Sequence, residues 1–183
     1  KKMVKNRGEL PQYLVQGDES EIITYSLQYP GFLFPGKTQF ASGPAPEGLH
    51  IVQKINSINP FTWIKVGREI KKAAPDAVII HYWMPFFSPA LGTISRIAKK
   101  NKKTKIIALC HNVKPHEHRP GDNILARYFM RVCDGFIALA NSTLNDLEAF
   151  TDNQNKLFVP HPIYDTFGVH VDKLEARKKL GLD

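Results

Sequence analysis

Three short apolar runs punctuate the middle of the chain: AVII at residues 77–80, IIAL at 106–109 and FIAL at 136–139. They are continuous rather than alternating, the pattern of strands covered on both faces, as in a parallel sheet. Weaker strand signals lie at residues 22–25, 51–55 and 157–159. Helical spacing fills the gaps between them. Asn59 as N-cap with Pro60 at the first helical position opens one helix. Its apolar face runs Trp63, Val66, Ile70, Ala73, and Pro75 ends it. Ser88 and Pro89 repeat the device, with Leu91, Ile94, Ile97 and Ala98 on one face. A third helix begins near Asp122 and buries Leu125, Tyr128, Phe129 and Val132. A fourth begins at Asn141 or Ser142 and carries Leu144 and Leu147. Asp172 with Glu175 three residues on forms a capping box for a last helix, which Gly181 ends.

Strands and helices in strict alternation predict βαβ units and a doubly wound α/β sheet. Ligands of such sheets bind beyond the carboxyl ends of the strands. That rule selects the segments at residues 81–83, 111–122 and 140–142. The N-terminus fits this plan poorly. Residues 1–5 make a weak strand, with only Met3 and Val4 apolar, and too few residues precede the next strand for a full βα unit. Either the first strand is irregular or residues are missing around Gly8.

The chain has 183 residues, a hydrophobic fraction of 43% and a charged fraction of 23%. These values suit one globular domain with a sizeable core and argue against disorder. The formal net charge of +8 points either to an anionic partner or to a solvated lysine coat. Lys99, Lys100, Lys102 and Lys103 follow a helix end, where lysine is favoured without any ligand. Cys110 and Cys133 are the only cysteines. Both adjoin apolar runs and read as buried thiols, fitting a reducing cytoplasm rather than a disulfide framework or a zinc site. No apolar run approaches the roughly 18 residues of a membrane span.

The segment HNVKPHEHRPGD at 111–122 holds the densest polar chemistry. Three readings stay open. His111, His116, Glu117 and His118 could hold a metal, although Pro115 and Pro120 forbid the helical pair of a zincin. The segment could be a substrate loop, its histidines donating or accepting and its Arg119 and Lys114 holding phosphate. Or its polar groups could simply cap one another. Tyr82 and Trp83 form either a sugar-stacking platform or a packing element, and Asn141 and Ser142 most simply cap a helix. Residues 27–50 make a long connection rich in proline, glycine and aromatics. They either pack on the domain or form a flap over a greasy acceptor. P-loop, GxGxxG, GxSxG and CxxC motifs are all missing.

In this order the segments resemble the N-terminal domain of retaining, GT-B glycosyltransferases of family 4, in a bacterial subgroup. LCHNV at 109–113 followed by PHE at 115–117 is similar to the family's strand-end histidine motif. DGFIAL at 134–139, with Asn141 and Ser142, resembles the next strand and helix. FVPHPIYD at 158–165 and EARKKLGL at 175–182 resemble the linker to a second domain, and SLQYP at 26–30, FPG at 34–36 and INPF at 58–61 are similar to the subgroup.

The resemblance implies a Rossmann-like acceptor-side domain over residues 1–168 and a linker helix over 169–183 leading to a donor-binding domain outside this chain. It implies transfer of a sugar (hexosyltransferase-like) from a nucleotide-sugar to a glycan, glycolipid or polysaccharide acceptor, with no cofactor and no metal. This chain alone would be inactive. His111 would be the catalytic histidine, hydrogen-bonding a sugar hydroxyl or a phosphate network rather than acting as a nucleophile. Asn112, His116, Glu117, Arg119, Tyr82 and Trp83 would contact acceptor, and Gly8 would be the remnant of a donor-phosphate loop. The expected location is cytoplasmic, with peripheral contact at the inner membrane face. The competing expectation is a non-catalytic Rossmann-like module that binds a glycan, a lipid phosphate or a protein. A nucleic-acid-binding domain has only the charge in its favour.

Overall fold

The computed structural model describes residues 2–3, 20–31, 50–114, 119–160 and 171–182. Seven strands appear among them: β1 (Lys2–Met3), β2 (Ser20–Leu27), β3 (His50–Asn56), β4 (Ala77–Tyr82), β5 (Lys105–Cys110), β6 (Gly135–Ala138) and β7 (Lys156–Phe158). The helices are α1 (Pro60–Ala73), α2 (Ser88–Ala98), α3 (Asp122–Met130), α4 (Asn141–Glu148) and α5 (Lys173–Lys179). Every strand pairing is parallel. Hydrogen bonds link β1-β2-β3 and, separately, β4-β5-β6-β7. Because β1 lies alongside β4, the layer runs β3-β2-β1-β4-β5-β6-β7. This is the Rossmann-like, doubly wound order, and its direction reverses between β1 and β4.

The core follows from the strand alternation. Val78, Ile80 and Tyr82 of β4, Ile106, Ala108 and Cys110 of β5, and Phe136 and Ala138 of β6 are buried. Val66 and Ile70 of α1, Leu91, Ile94 and Ala98 of α2, and Ala126, Phe129 and Met130 of α3 join them in one cluster. Helix α1 packs on α2 and α2 on α3. The first of these crossings is close because Gly67 faces Ile97: a Cβ there would sit 2.8 Å from the Ile97 Cβ and 3.1 Å from the Ile94 carbonyl oxygen.

Helix ends show where the sequence reading was right and where it was not. Asn59 caps α1 as expected, its side chain accepting the Phe61 amide at 3.0 Å. Asp172 caps α5 in the same way, accepting from Leu174 and Glu175. Ser88 does not cap α2. Phe87 holds that position at the end of a 3-10 turn over Pro85–Phe87. The Ser88 hydroxyl instead lies 3.1 Å from the Tyr82 hydroxyl, both side chains buried. Asn141 and Ser142 do not cap α4 either: Ala140 is its N-cap and no side chain completes it. The doubtful first strand is present as β1, two residues long and paired with β2. Both cysteines are free and buried. Part of the lysine excess is neutralised, Lys99 by Asp134 at 2.9 Å and Lys103 by Asp76 at 3.1 Å.

Candidate functional site

Strands β4, β5 and β6 end level with one another. The register pairs His81 with Leu109 and Tyr82 with Cys110, then Leu109 with Ile137 and Cys110 with Ala138. Side chains alternate along a strand, so His81, Leu109 and His111 share one face, opposite to Tyr82 and Cys110. The backbone keeps its ladder one step past β5: the His111 amide donates to the Tyr82 carbonyl at 2.9 Å. At the same level the Thr143 hydroxyl, in the first turn of α4, donates to the His111 carbonyl at 3.1 Å. His111 is therefore fixed from both sides at the carboxyl edge of the sheet, next to the strand at the topological switch.

His81 completes the arrangement. Its Nδ1 lies 2.9 Å from Nε2 of His111, and the rings stack with centroids 5.2 Å apart and an interplanar angle of 27°. His81 is buried, whereas His111 keeps part of its surface exposed. One of the two facing nitrogens carries the hydrogen and the other accepts it. Both rings cannot be doubly protonated without destroying that bond. The pair thus couples the tautomer of the exposed ring to the buried one, as an outer partner orients a working histidine elsewhere.

The loop after His111 is anchored at each described end. Lys114 Nζ is 2.8 Å from Asp146 Oδ1 on α4. The Arg119 amide donates to Asp122 Oδ2 at 2.8 Å, at the start of α3. Asn112 and Arg119 are exposed on this rim. His116, Glu117, His118 and Gly8 lie outside the described residues, as do Phe32 and Phe34 of the long connection. Among the described residues no group of three or more histidine, cysteine or carboxylate side chains is placed to hold a metal ion.

Tyr82 and Trp83 part company. Tyr82 is 1% exposed, stacks on Phe129 at 5.1 Å and faces the helical layer. Burial drives its hydroxyl pKa far above the ordinary value, against the smaller opposing effect of the Ser88 hydrogen bond. Trp83 is half-buried; its Nε1 donates to the Tyr29 hydroxyl at 3.1 Å and its ring packs 4.7 Å from that of Phe87. Tyr29 also meets Phe86 and Phe87. The start of the long connection therefore packs its Tyr29 on the domain, against Trp83, Phe86 and Phe87. Sequence reasoning selected the strand end at 81–83 but gave a role only to Tyr82 and Trp83, and left His81 without one. The available signal was a histidine at the end of each of two neighbouring apolar runs.

The family model described as Glycosyltransferase Family 4 matches residues 16–166, spanning β2 to β7 and both histidines. No curated protein matches the chain.

Proposed function

This chain belongs to glycosyltransferase family 4, and from that premise we propose that it is the acceptor-side domain of a retaining enzyme that moves a sugar from a nucleotide-sugar to a glycan, glycolipid or polysaccharide. One observation carries the reading: a buried histidine holds a part-exposed one at the carboxyl edge of a parallel sheet, beside its topological switch.

His111 acts as the catalytic residue by hydrogen-bonding, from its exposed side, a hydroxyl or phosphate oxygen of the sugars in the cleft. His81 is a positioning residue that fixes the His111 ring and tautomer. Asn112 and Arg119 stand on the rim, where an amide and a guanidinium suit sugar hydroxyls and phosphate respectively. Trp83 supplies the aromatic wall. His116 and Glu117 are proposed acceptor contacts on the same loop, and Gly8 a donor-phosphate contact. The nucleotide is held by a second domain facing this edge, so the domain alone transfers nothing.

The test is turnover of nucleotide-sugars by the two-domain protein with and without His111→Ala. Transfer that falls by two or more orders of magnitude in the variant supports the assignment, in keeping with the usual contribution of a positioned proton donor or acceptor. A protein that neither binds nor consumes any nucleotide-sugar would instead be a ligand-binding module. Transfer by the isolated chain would overturn the two-domain reading.

A further inference from the structure

Helix α4 borders the loop that leaves β5. Its buried residues are Thr143 and Leu147, one turn apart on a single face. Leu147 joins the domain core and holds the helix in place. Thr143 is 3% exposed. A threonine inside a helix commonly bonds back to a carbonyl of its own helix. The Thr143 hydroxyl instead donates to the His111 carbonyl at 3.1 Å, 32 residues away in the chain. Three residues along α4, Asp146 Oδ1 meets Lys114 Nζ at 2.8 Å, and Lys114 lies three residues past His111. The two contacts run in step along helix and loop.

Between these contacts the path of the chain is set residue by residue. The His111 amide is held by the Tyr82 carbonyl, and the Thr143 bond sets the peptide plane that follows His111. Val113 is 1% exposed and belongs to the core. Asn112 sits between a held carbonyl and a buried side chain, and is itself exposed. Without the Thr143 hydroxyl, that peptide plane can turn about ψ of His111, one of the two soft dihedrals of the residue. Such a turn swings Asn112 and leaves the His111 ring behind. The Lys114 pair is partly solvated on both sides and contributes little, so the buried Thr143 bond carries the alignment.

We propose that Thr143 is a positioning residue for the acceptor, which aims Asn112 at the sugar hydroxyls beside His111. This role rests on the transferase reading above. It also separates two effects: His81 holds the working ring and acts on kcat, whereas Thr143 holds the rim and acts on the acceptor KM.

Two variants test it. Thr143→Val keeps the shape of the side chain and removes the hydroxyl; Thr143→Ser keeps the hydroxyl and removes a methyl group. The interactions lost are of similar size, so a purely structural role would affect both variants alike. In the 183-residue chain, NMR relaxation of the Asn112 amide should give an order parameter of about 0.85 in the native and Ser forms, and below about 0.6 in the Val form. The two-domain protein is then assayed with nucleotide-sugar donors and with octyl glucoside, octyl galactoside and octyl mannoside as acceptors. Thr143→Val should raise the acceptor KM about three- to ten-fold, the loss of one hydrogen bond, with kcat little changed, and Thr143→Ser should stay close to native. An Asn112 amide as rigid in the Val form as in the native, an acceptor KM unmoved by Val, or a Ser form that matches Val overturns the proposal and leaves the transferase reading standing. A native two-domain protein that transfers no sugar overturns both.

Discussion

His81 and His111, thirty residues apart in the chain, meet at 2.9 Å between Nδ1 and Nε2. The contact needs two strand ends at one level and on one face, and it gives His81 a role separable from that of His111. His81→Asn keeps a side-chain group near the Nδ1 position, whereas His81→Phe keeps only the ring. In the proposed two-domain enzyme we expect the Phe variant to lose about 10–100-fold in kcat, by analogy with the outer partners of metal-bound histidines. The Asn variant should recover most of it. Loss of the partner should also move the pH profile of kcat, since the hydrogen bond between the rings requires one of the two facing nitrogens to be unprotonated. Equal loss in both variants, with an unmoved profile, would reduce His81 to a packing residue.

Much of this was legible in the residues. The apolar runs at 77–80, 106–109 and 136–139 predict strands, and each is one. Buried parallel strands carry that signal themselves, with no help from tertiary context. β1 was doubtful because two residues hold no pattern; only pairing with β2 makes them a strand. Ser88 was misread as a cap because its hydroxyl has a competing partner, Tyr82, visible only once β4 and α2 are packed. His81 escaped for a similar reason. Its partner is fixed by the β4–β5 register, and no local spacing encodes register.

Asp134 ties the start of β6 to the start of β5, at the amino edge of the sheet, opposite the edge bearing the site. Its Oδ2 accepts the Ile106 amide at 2.8 Å, its own amide donates to the Ile106 carbonyl at 2.7 Å, and Oδ1 meets Lys99. The Lys99 pair is partly solvated on both sides and is worth under about 1 kcal/mol. The amide bond to a carboxylate is worth about 2 kcal/mol. Asp134→Ala should therefore cost about 2–3 kcal/mol in urea unfolding. Asp134→Asn, which can still accept from Ile106, should cost about 1 kcal/mol or less. Equal losses would mean that the ion pair dominates.

The thiols make stability sensitive to alkali. Burial pushes Cys110 up from 9.0 to about 12, and Cys133 is raised by the same cause. A raised folded pKa means that the unfolded chain releases its proton first. The contribution is complete below about pH 9 and is lost as pH rises toward 12. The slope is about 1.4 kcal/mol per pH unit for each thiol. We expect Cys110→Ala to flatten part of the fall in unfolding free energy between pH 9 and 11. In the folded protein at neutral pH neither thiol should react with a disulfide reagent; fast labelling would show that the burial is breached.

Gly67 sets the approach of α1 to α2. A methyl group would gain about 1 kcal/mol in helix propensity. It would also press on the Ile94 carbonyl at 3.1 Å and on Ile97 at 2.8 Å, and the carbonyl belongs to a helix that cannot yield cheaply. Overpacking of this kind costs about 1–3 kcal/mol. Gly67→Ala should thus lower the urea midpoint, with a net loss of up to about 2 kcal/mol, and leave the histidine pair unmoved. A stabilised variant would mean that α2 shifts aside freely.

Tyr82 is where packing and acceptor binding give opposite forecasts. Its ring lies between the sheet and Phe129, and its hydroxyl meets Ser88 inside the domain. Tyr82→Phe removes one partner of a buried hydrogen bond and leaves the Ser88 hydroxyl behind, a loss of about 1–2 kcal/mol. The Tyr82 side chain points away from the face that bears His111, and its carbonyl still accepts the His111 amide, so the acceptor KM of the proposed two-domain enzyme should be unchanged. Trp83→Ala, just past the end of β4 and part-exposed, should raise it. If instead Tyr82→Phe raised the acceptor KM without loss of stability, the interior would have to open during the reaction, and Tyr82 would be a contact that this closed state conceals.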